Sequence, residues 1–327
     1  MGSQKRPPEN MERFNSSLTL TSSEAAELLA VHPSTVKRWC NEGDLQSEKT
    51  EGGHRRLRLG DVMDFARKRA IDNVLMPFEP YEPHVWSALR EIREEGSFRR
   101  FHSLAMGWVH RGDLRRLARL YDALARDPSV RLCQVCDLGI RGLMQRVGEE
   151  WAAGRLRVGE EHLVSQVMVE VLLNLRVDDR EKMDRRRNGA ARPVAVVGTL
   201  EGNFHHLGSL CVRLLLERLG WEVYYLGPDV PIEDFGVIQR GREASLVCLS
   251  LTPPAAAGDV ARAIRILGGS YDRSRPYALA FGGQVQGAVD DSILQGPFVG
   301  SEVFPSCESL RMAIESGFAG SVTGAQS

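Results

Sequence analysis

The chain lacks any apolar run long enough to cross a membrane, and its opening residues lack the apolar core of a secretory signal. Arg6 stands where a myristoylation motif needs serine or threonine. Neither sign of charge is in excess, since 42 Lys and Arg face 43 Asp and Glu. A chain-wide field attracting nucleic acid is therefore excluded, and any such contact must come from a local basic patch. We expect a protein without membrane partners.

Cysteine is scarce, with six residues scattered over 327 positions. Cys133 and Cys136 form a close pair, but no second pair completes a zinc site. Because the pair lies in an apolar helical pattern, we interpret both as packed helix thiols. This cysteine usage is typical of a reducing compartment and predicts a cytoplasmic protein.

The pattern of apolar residues divides the chain into blocks of different periodicity. The fold class it predicts is α/β plus all-α: a small helical module, a four-helix-type bundle and a doubly wound, Rossmann-like parallel sheet. The predicted segments are a polar tail 1–17, a helical module 18–72, a proline-rich linker 73–83, a helical bundle 84–180, a charged and solvated connector 181–192, and an α/β domain 193–327.

Periodicity also predicts the individual elements of the two larger blocks. Helices are expected in the bundle at 85–95, 98–111, 114–126, 130–151 and 160–175. Strands of the sheet are expected at 194–199, 223–226, 246–251, 277–281 and 298–303, and the helices between them at 209–219, 232–242, 255–268 and 306–315.

The first module has the pattern of a helix-turn-helix. A helix over 21–29 begins with hydroxyl caps and acidic residues, a three-residue turn follows, and Pro33 occupies the first position of a second helix. Val36 and Trp39 are expected to face the core. The exposed side of the second helix is expected to carry Ser34, Thr35, Lys37 and Arg38.

A β-hairpin wing is predicted after that helix, where a Gly-Gly turn precedes a basic run. The candidate phosphate contacts in this run are His54, Arg55 and Arg56. The motif Gly-Gly-His-Arg-Arg resembles the winged helix-turn-helix of the MerR family, which implies binding to a double-stranded DNA operator. One module with so few basic residues binds DNA weakly, so we expect a dimer or a higher homo-oligomer.

His205 follows the first predicted strand of the sheet, at the edge where open α/β sheets bind ligands, and Gly208 lies three residues later. This spacing resembles the His-x-x-Gly core of cobalamin-binding domains and implies that His205 is the lower axial ligand of cobalt. Asn203 replaces the aspartate of the family pattern. We expect its carbonyl oxygen to accept the proton from the second imidazole nitrogen.

Other positions at successive strand ends match the same family. Gly208 is expected to leave room for the nucleotide tail of the vitamin, and the segment 226–231 matches the family's second strand-to-helix turn. The resemblance implies further cofactor contacts at Ser250, Thr252, Gly282 and Gly283.

The bundle carries a second signature, in which Trp151 is followed nine residues later by Glu161 and His162. This pattern resembles CarH/LitR-type regulators, in which the Trp and Glu shield the 5′-deoxyadenosyl group of adenosylcobalamin, and Val158 matches another pocket position. The resemblance implies a light-sensitive repressor without enzymatic activity. It assembles on DNA in the dark and releases DNA after photolysis of the Co–C bond.

One departure from that family concerns Ala152. Relatives place a histidine directly after the pocket tryptophan, and after illumination that histidine takes the upper face of cobalt. A second histidine ligand is therefore not available from position 152. We expect a light state that differs from that of the relatives.

Three alternative functions stay open. The first is a corrinoid carrier of methyl groups, although the N-terminal module and Glu161 argue against it. The second is a regulator that keeps the fold but answers to a partner protein. The third is a sensor that uses a different corrinoid or hosts an added chromophore such as a bilin.

Overall fold

The computed structural model describes residues 18–184, 192–251, 257–283 and 289–319, and for 178–184 the backbone alone. The predicted polar tail, three arginines of the charged connector (185–187) and Thr252 lie outside the described residues. The chain divides into two compact units, one up to Leu124 and one from Ala125 onward.

The first unit consists of a small antiparallel sheet and six helices, the last of which ends just inside the second unit. The elements are β1 (Thr19–Thr21), α1 (Ser22–Leu28), α2 (Pro33–Glu42), β2 (Glu48–Lys49), β3 (Arg55–Arg58), α3 (Leu59–Lys68), α4 (Glu82–Glu95), α5 (Arg99–Val109) and α6 (Leu114–Arg126). The sheet has the order β1-β3-β2. It forms because Leu20 and Leu57 pair across β1 and β3 and are fully buried.

The segment interpreted as a linker, 73–83, is packed into the first unit. Leu75 and Phe78 are 0% and 1% exposed. The Phe78 ring stacks on Trp108 of α5 with 5.8 Å between ring centroids. Two of its three prolines lie within helices: Pro77 in the short 3₁₀ helix 76–78 and Pro83 in the first turn of α4. The segment predicted as a linker is therefore packed against α5 through Phe78.

Ion pairs join the helix-turn-helix to α4 within this unit. Arg90 and Arg93 of α4 approach Glu24 and Glu27 of α1 at 3.7 and 3.2 Å. From α3, Arg67 reaches the buried Glu82 at the start of α4, at 2.5 Å. Burial raises the pKa of Glu82 even though Arg67 opposes the shift.

The second unit opens with two long helices. α7 begins as Leu132–Gln134, passes through a π-helical segment at Val135–Ile140 and continues as Arg141–Ala152. α8 runs over Val158–Asp184. It therefore continues through part of the segment predicted to be a solvated connector.

A five-stranded parallel sheet follows, with helices between its strands. Its elements are β4 (Val194–Leu200), α9 (Leu207–Arg218), β5 (Glu222–Val230), α10 (Ile232–Arg242), β6 (Leu246–Leu251), α11 (Ala257–Gly269), β7 (Ala278–Gly283), β8 (Ser301–Phe304) and α12 (Cys307–Glu315). The strand order is β5-β4-β6-β7-β8 with every neighbouring pair parallel. β6 and α10 coincide with the predicted bounds, and β8 is three residues shorter at its start.

The predicted fold class is confirmed: helix-turn-helix, helical block and parallel sheet follow in that order. All residues of β6 are buried, as expected of a central parallel strand with helices on both faces. Within the described ranges, no helix is long and apolar enough to cross a membrane.

The cysteines are free and mostly buried. Cys136, Cys211 and Cys307 come together from α7, α9 and α12. The hydrogen bonds among the three thiols and their burial hold all three thiol pKa values well above the ordinary value. Burial raises the pKa of Cys133 to about 12, and Glu308 adds to the shift. Cys133 and Cys136 are packed helix thiols, as predicted.

Candidate functional site

The predicted reading face lies on α2. Thr21 caps α1 in a reciprocal capping box with Glu24, which fixes where the first helix begins. Val36 and Trp39 are buried, as predicted. The opposite face is open to solvent, and of the four residues assigned to it Ser34, Lys37 and Arg38 are exposed while Thr35 is half-buried.

The predicted wing is formed by β2, β3 and the turn between them. His54 is exposed beyond the turn, and Arg55 and Arg56 are half-buried on β3. A guanidinium nitrogen of Arg55 donates to Asn41 Oδ1 of α2 at 2.6 Å. This bond ties the wing to the reading helix. Asn41 was missed in the sequence because the contact joins positions 14 residues apart without a recurrent motif.

In the second unit, His205 lies on the loop between β4 and α9 and is exposed. The strand order places β4, the first strand of the domain, between the second and the third. The point where the chain switches direction therefore falls between β4 and β6, and ligands of open parallel sheets bind there beyond the carboxyl ends of the strands. Ser250 lies at that end of β6, in register with Thr199 of β4.

Asn203 hydrogen-bonds the backbone of the loop that carries His205. Its Oδ1 accepts a hydrogen bond from the backbone N–H of His205 at 3.1 Å. Its Nδ2 is buried without a hydrogen-bond partner among the described residues. The Asn203 oxygen therefore already accepts one hydrogen bond from the backbone, and its acceptance of the imidazole proton stays a prediction.

Glycines bring the backbone close together at this edge of the sheet. A Cβ on Gly208 would lie 2.8 Å from Ser250 Oγ, so the two predicted residues face each other. A Cβ on Gly283 would lie 1.8 Å from the carbonyl oxygen of Leu251, and the φ of Gly283 is +103°. Gly282 pairs with Ser250 in the neighbouring strand. Thr252, the remaining predicted residue, lies outside the described residues.

The segment predicted as the second strand-to-helix turn, 226–231, belongs almost entirely to a strand. β5 continues to Val230 with register shifts opposite 197–200 of β4. Gly227 has a φ of +89°, and Asp229 has a φ of +58°, which is uncommon for a residue with a side chain. The prediction of a turn is wrong. The irregular strand instead brings Asp229 to the loop that carries His205.

The bundle residues lie on the two helices that open the second unit. Trp151 near the end of α7 and Val158 at the start of α8 are 51% and 52% exposed. Glu161 Oε1 accepts from Ser165 Oγ at 2.6 Å, and its Oε2 lies 3.4 Å from Nε2 of the exposed His162. The two helix ends therefore present apolar surface to solvent.

α8 packs against α9, the helix that begins directly after the His205 loop. Phe204, the neighbour of His205, is 67% exposed. His206 is half-buried and its Nδ1 lies 3.2 Å from the Phe204 carbonyl oxygen.

The residues at the sheet edge fit a cobalt corrinoid. Among the described residues no cluster of three or more His, Cys, Asp or Glu can hold a bare metal ion. A corrin ring brings four nitrogen ligands of its own, so one exposed imidazole suffices below it. The Gly208–Ser250 approach leaves a cradle that a Cβ would fill, and Asn203 Nδ2 offers an unpaired donor.

Two family models match the chain. A helix-turn-helix domain model matches residues 19–70, and a B12 binding domain model matches residues 108–176. Both ranges end before β4. Together they define a helix-turn-helix protein with a B12-binding domain, which is the composition of a cobalamin-binding transcription regulator.

Among curated proteins, the chain is similar to the HTH-type transcriptional repressor CarH of Myxococcus xanthus. The identity is 28% over 248 residues, which cover 72% of this chain and 79% of that protein. The predicted resemblance to CarH/LitR-type regulators is confirmed at this level. The dimethylamine corrinoid protein of Methanosarcina barkeri is also 28% identical, over 112 residues that cover 34% of this chain and 50% of that protein.

Among solved structures, the monomethylamine corrinoid protein of Methanosarcina barkeri covers 65% of this chain and 96% of its own, with 17% identity and a TM-score of 0.49. That value is too low to support an argument about function.

Proposed function

We propose that the chain is a light-responsive transcriptional regulator, most simply a repressor. It binds adenosylcobalamin in the dark and assembles on operator DNA as a dimer or tetramer in the cytoplasm. The observation that carries the proposal is the exposed His205 beyond the carboxyl end of β4, in a chain that also carries a helix-turn-helix. When bound, adenosylcobalamin supplies a cobalt–carbon bond that light cleaves.

His205 is the proposed cobalt ligand, because its imidazole is exposed at the switch point of the sheet. Asn203 holds the backbone of His205 through its Oδ1. Gly208, Ser250, Gly282 and Gly283 are proposed to border the tail of the vitamin where the backbones approach closely. Thr252, which lies outside the described residues, is proposed as a further contact to the cofactor.

Trp151 and Val158 are proposed to cover the adenosyl group, since both present apolar surface to solvent at adjoining helix ends. Glu161 is proposed to accept hydrogen bonds from the ribose, and His162 to border the same pocket. Occupation of this surface favours one packing of the helices, and loss of the adenosyl group removes that preference.

The reader residues are proposed to contact DNA in two ways. Ser34, Thr35, Lys37 and Arg38 face the groove from α2, and three wing residues contact phosphates: His54, Arg55 and Arg56. The chain as a whole carries almost no net charge, so one copy of these contacts binds DNA weakly. Assembly of several chains brings several copies of the contacts to one operator.

The experiment is size-exclusion chromatography of the full chain with adenosylcobalamin, before and after green light, with absorbance recorded across the peak. We expect a larger species in the dark that retains the corrinoid and a smaller one after illumination. Elution that is the same with and without cobalamin, dark and lit, contradicts the proposal and favours control by a partner protein.

A methyl carrier is the second candidate, favoured by the similarity to the dimethylamine corrinoid protein over 34% of the chain. Purification separates the candidates: the regulator retains adenosylcobalamin, whereas a carrier retains methylcobalamin. A bound bilin, visible as an additional absorbance band, would instead support the added-chromophore alternative.

A further inference from the structure

The loop that carries His205 is held by a buried hydroxyl. Thr199, near the end of β4, is fully buried. Its Oγ1 donates to the carbonyl oxygen of Asn203 at 2.6 Å and accepts from the backbone N–H of Asp229 at 3.1 Å. One side chain therefore links the loop to the neighbouring strand β5.

Asp229 closes the same contact from the other side. Its Oδ1 accepts from the backbone N–H of Gly202 at 2.8 Å, and its own N–H also lies 3.2 Å from the Asn203 carbonyl oxygen. Its φ of +58° places it in the left-handed region. That conformation is unfavourable for most L-residues and persists where the surroundings fix it.

At this end of the loop the backbone N–H of Asn203 also donates to the Leu200 carbonyl oxygen at 3.0 Å. Glu201 meets Arg262 at 3.3 Å, and both side chains are exposed by about half (57% and 47%). Such a surface ion pair fixes little. The backbone N–H of His205 donates to Asn203 Oδ1. The Asn203 carbonyl oxygen in turn accepts from Thr199 Oγ1 and from the backbone N–H of Asp229.

We propose that Thr199 and Asp229 are positioning residues that form a clasp, here defined as these two side chains, which fixes the His205 loop for ligation of cobalt. The inference rests on the proposed function of His205. It extends that function to two residues on different strands that do not themselves touch the metal. An axial ligand has to be held closely in place, and here the clasp rather than Asn203 alone supplies that support.

The test uses the full chain and hydroxocobalamin as the probe. The variants are Thr199→Val, Thr199→Ser, Asp229→Gly and Asp229→Asn, with His205→Ala as the reference for lost ligation. Ser245→Ala is the matched control, because Ser245, directly before β6, also has a buried Oγ, which makes no hydrogen bond within the described part of the chain. Three quantities are measured: the dissociation constant, the absorbance spectrum at saturation and the melting temperature without cobalamin.

Thr199→Val and Asp229→Gly are expected to bind about tenfold more weakly, because each loses hydrogen bonds of the clasp. Their spectra at saturation are expected to shift toward that of His205→Ala. Thr199→Ser and Asp229→Asn keep the oxygen atoms and should stay within about twofold of the wild type. Glycine adopts a positive φ without strain, so a defect of Asp229→Gly cannot come from the backbone conformation.

The outcomes separate the two levels of inference. If His205→Ala loses the ligated spectrum while Thr199→Val and Asp229→Gly keep it at wild-type affinity, the clasp is wrong and the proposed function stands. If His205→Ala keeps the wild-type spectrum, both are wrong. If Thr199→Val and Asp229→Gly lower the melting temperature but leave the spectrum at saturation unchanged, the two side chains have only a general structural role. That result overturns the proposed clasp.

Discussion

Arg176 of α8 donates two hydrogen bonds to the carboxylate of Glu217 on α9, from Nε at 2.6 Å and from Nη2 at 2.8 Å. Both side chains are largely buried, at 16% and 12% exposed. The pair joins α8 to the helix that follows the His205 loop. Because both bonds form between a guanidinium and one carboxylate, the contact is stronger than a single hydrogen bond.

Replacing Arg176 with Met is expected to destabilise the protein by about 3 kcal/mol, because the largely buried carboxylate of Glu217 loses both hydrogen bonds from Arg176. Denaturant unfolding measures the change. The matched control is Arg155→Met, which breaks a similar two-bond pair with Glu150 in which the Arg155 side chain is 60% exposed. Equal losses in the two variants contradict the role given to burial.

The sheet was predictable because each central strand is a continuous apolar run. Parallel strands covered on both faces have to read this way, and β6 is buried along its whole length. The packing of 73–83 was not predictable, since proline is common both in linkers and at helix starts. The π-helical segment 135–140 also has no period of its own in the sequence.

At the candidate site, sequence located the residues that share a strand end. Gly208 follows β4 and Ser250 lies near the end of β6, and they meet because the carboxyl ends of parallel strands lie at one edge. Thr199 and Asp229 were not found, since their bonds depend on an irregular register between β4 and β5. The use of Asn203 Oδ1 by a backbone N–H depends on loop conformation, which no spacing encodes.

Gly208→Ala is expected to weaken cobalamin binding by at least about tenfold, because the new methyl group lies 2.8 Å from Ser250 Oγ and fills the cradle. Titration followed by absorbance measures the affinity. Gly241→Ala is the control, since nothing lies within 4 Å of a Cβ on that helical residue. Wild-type affinity in Gly208→Ala would remove this edge of the sheet from the proposed binding surface.

Asn203→Asp is expected to tighten cobalamin binding by about tenfold. One carboxylate oxygen keeps the bond to the His205 backbone, and the other replaces the buried, unpartnered Nδ2 with an acceptor for the imidazole proton. Asn203→Ala removes the oxygen that accepts from the His205 backbone N–H and should bind cobalamin more weakly than the wild type. The same titration compares all three proteins, and an Asp variant no better than the Ala variant is the contrary result.

Lys37→Ala is expected to reduce the slope of log K against log salt by about 0.9, the effect of losing one phosphate contact. Lys37 is exposed on the reading face of α2. Fluorescence anisotropy with a random-sequence duplex at several salt concentrations measures the slope. Lys68→Ala, which changes an exposed lysine of α3 that belongs neither to α2 nor to the wing, should leave it unchanged. An equal drop in both variants would indicate general charge attraction rather than a reading face.

Ala152→His places an imidazole at the end of α7, next to Trp151 and open to solvent. If the adenosyl group lies against Trp151 in the dark, its departure leaves space into which this imidazole can reach. The illuminated variant, loaded with adenosylcobalamin, is therefore expected to show the absorbance of a corrinoid with two imidazole ligands, whereas the wild type does not. Ala153→His is the control, because its position one residue further along turns the side chain about 100° around the helix axis. A light-state spectrum of Ala152→His that matches the wild type would mean that the end of α7 does not border the upper face of the corrinoid.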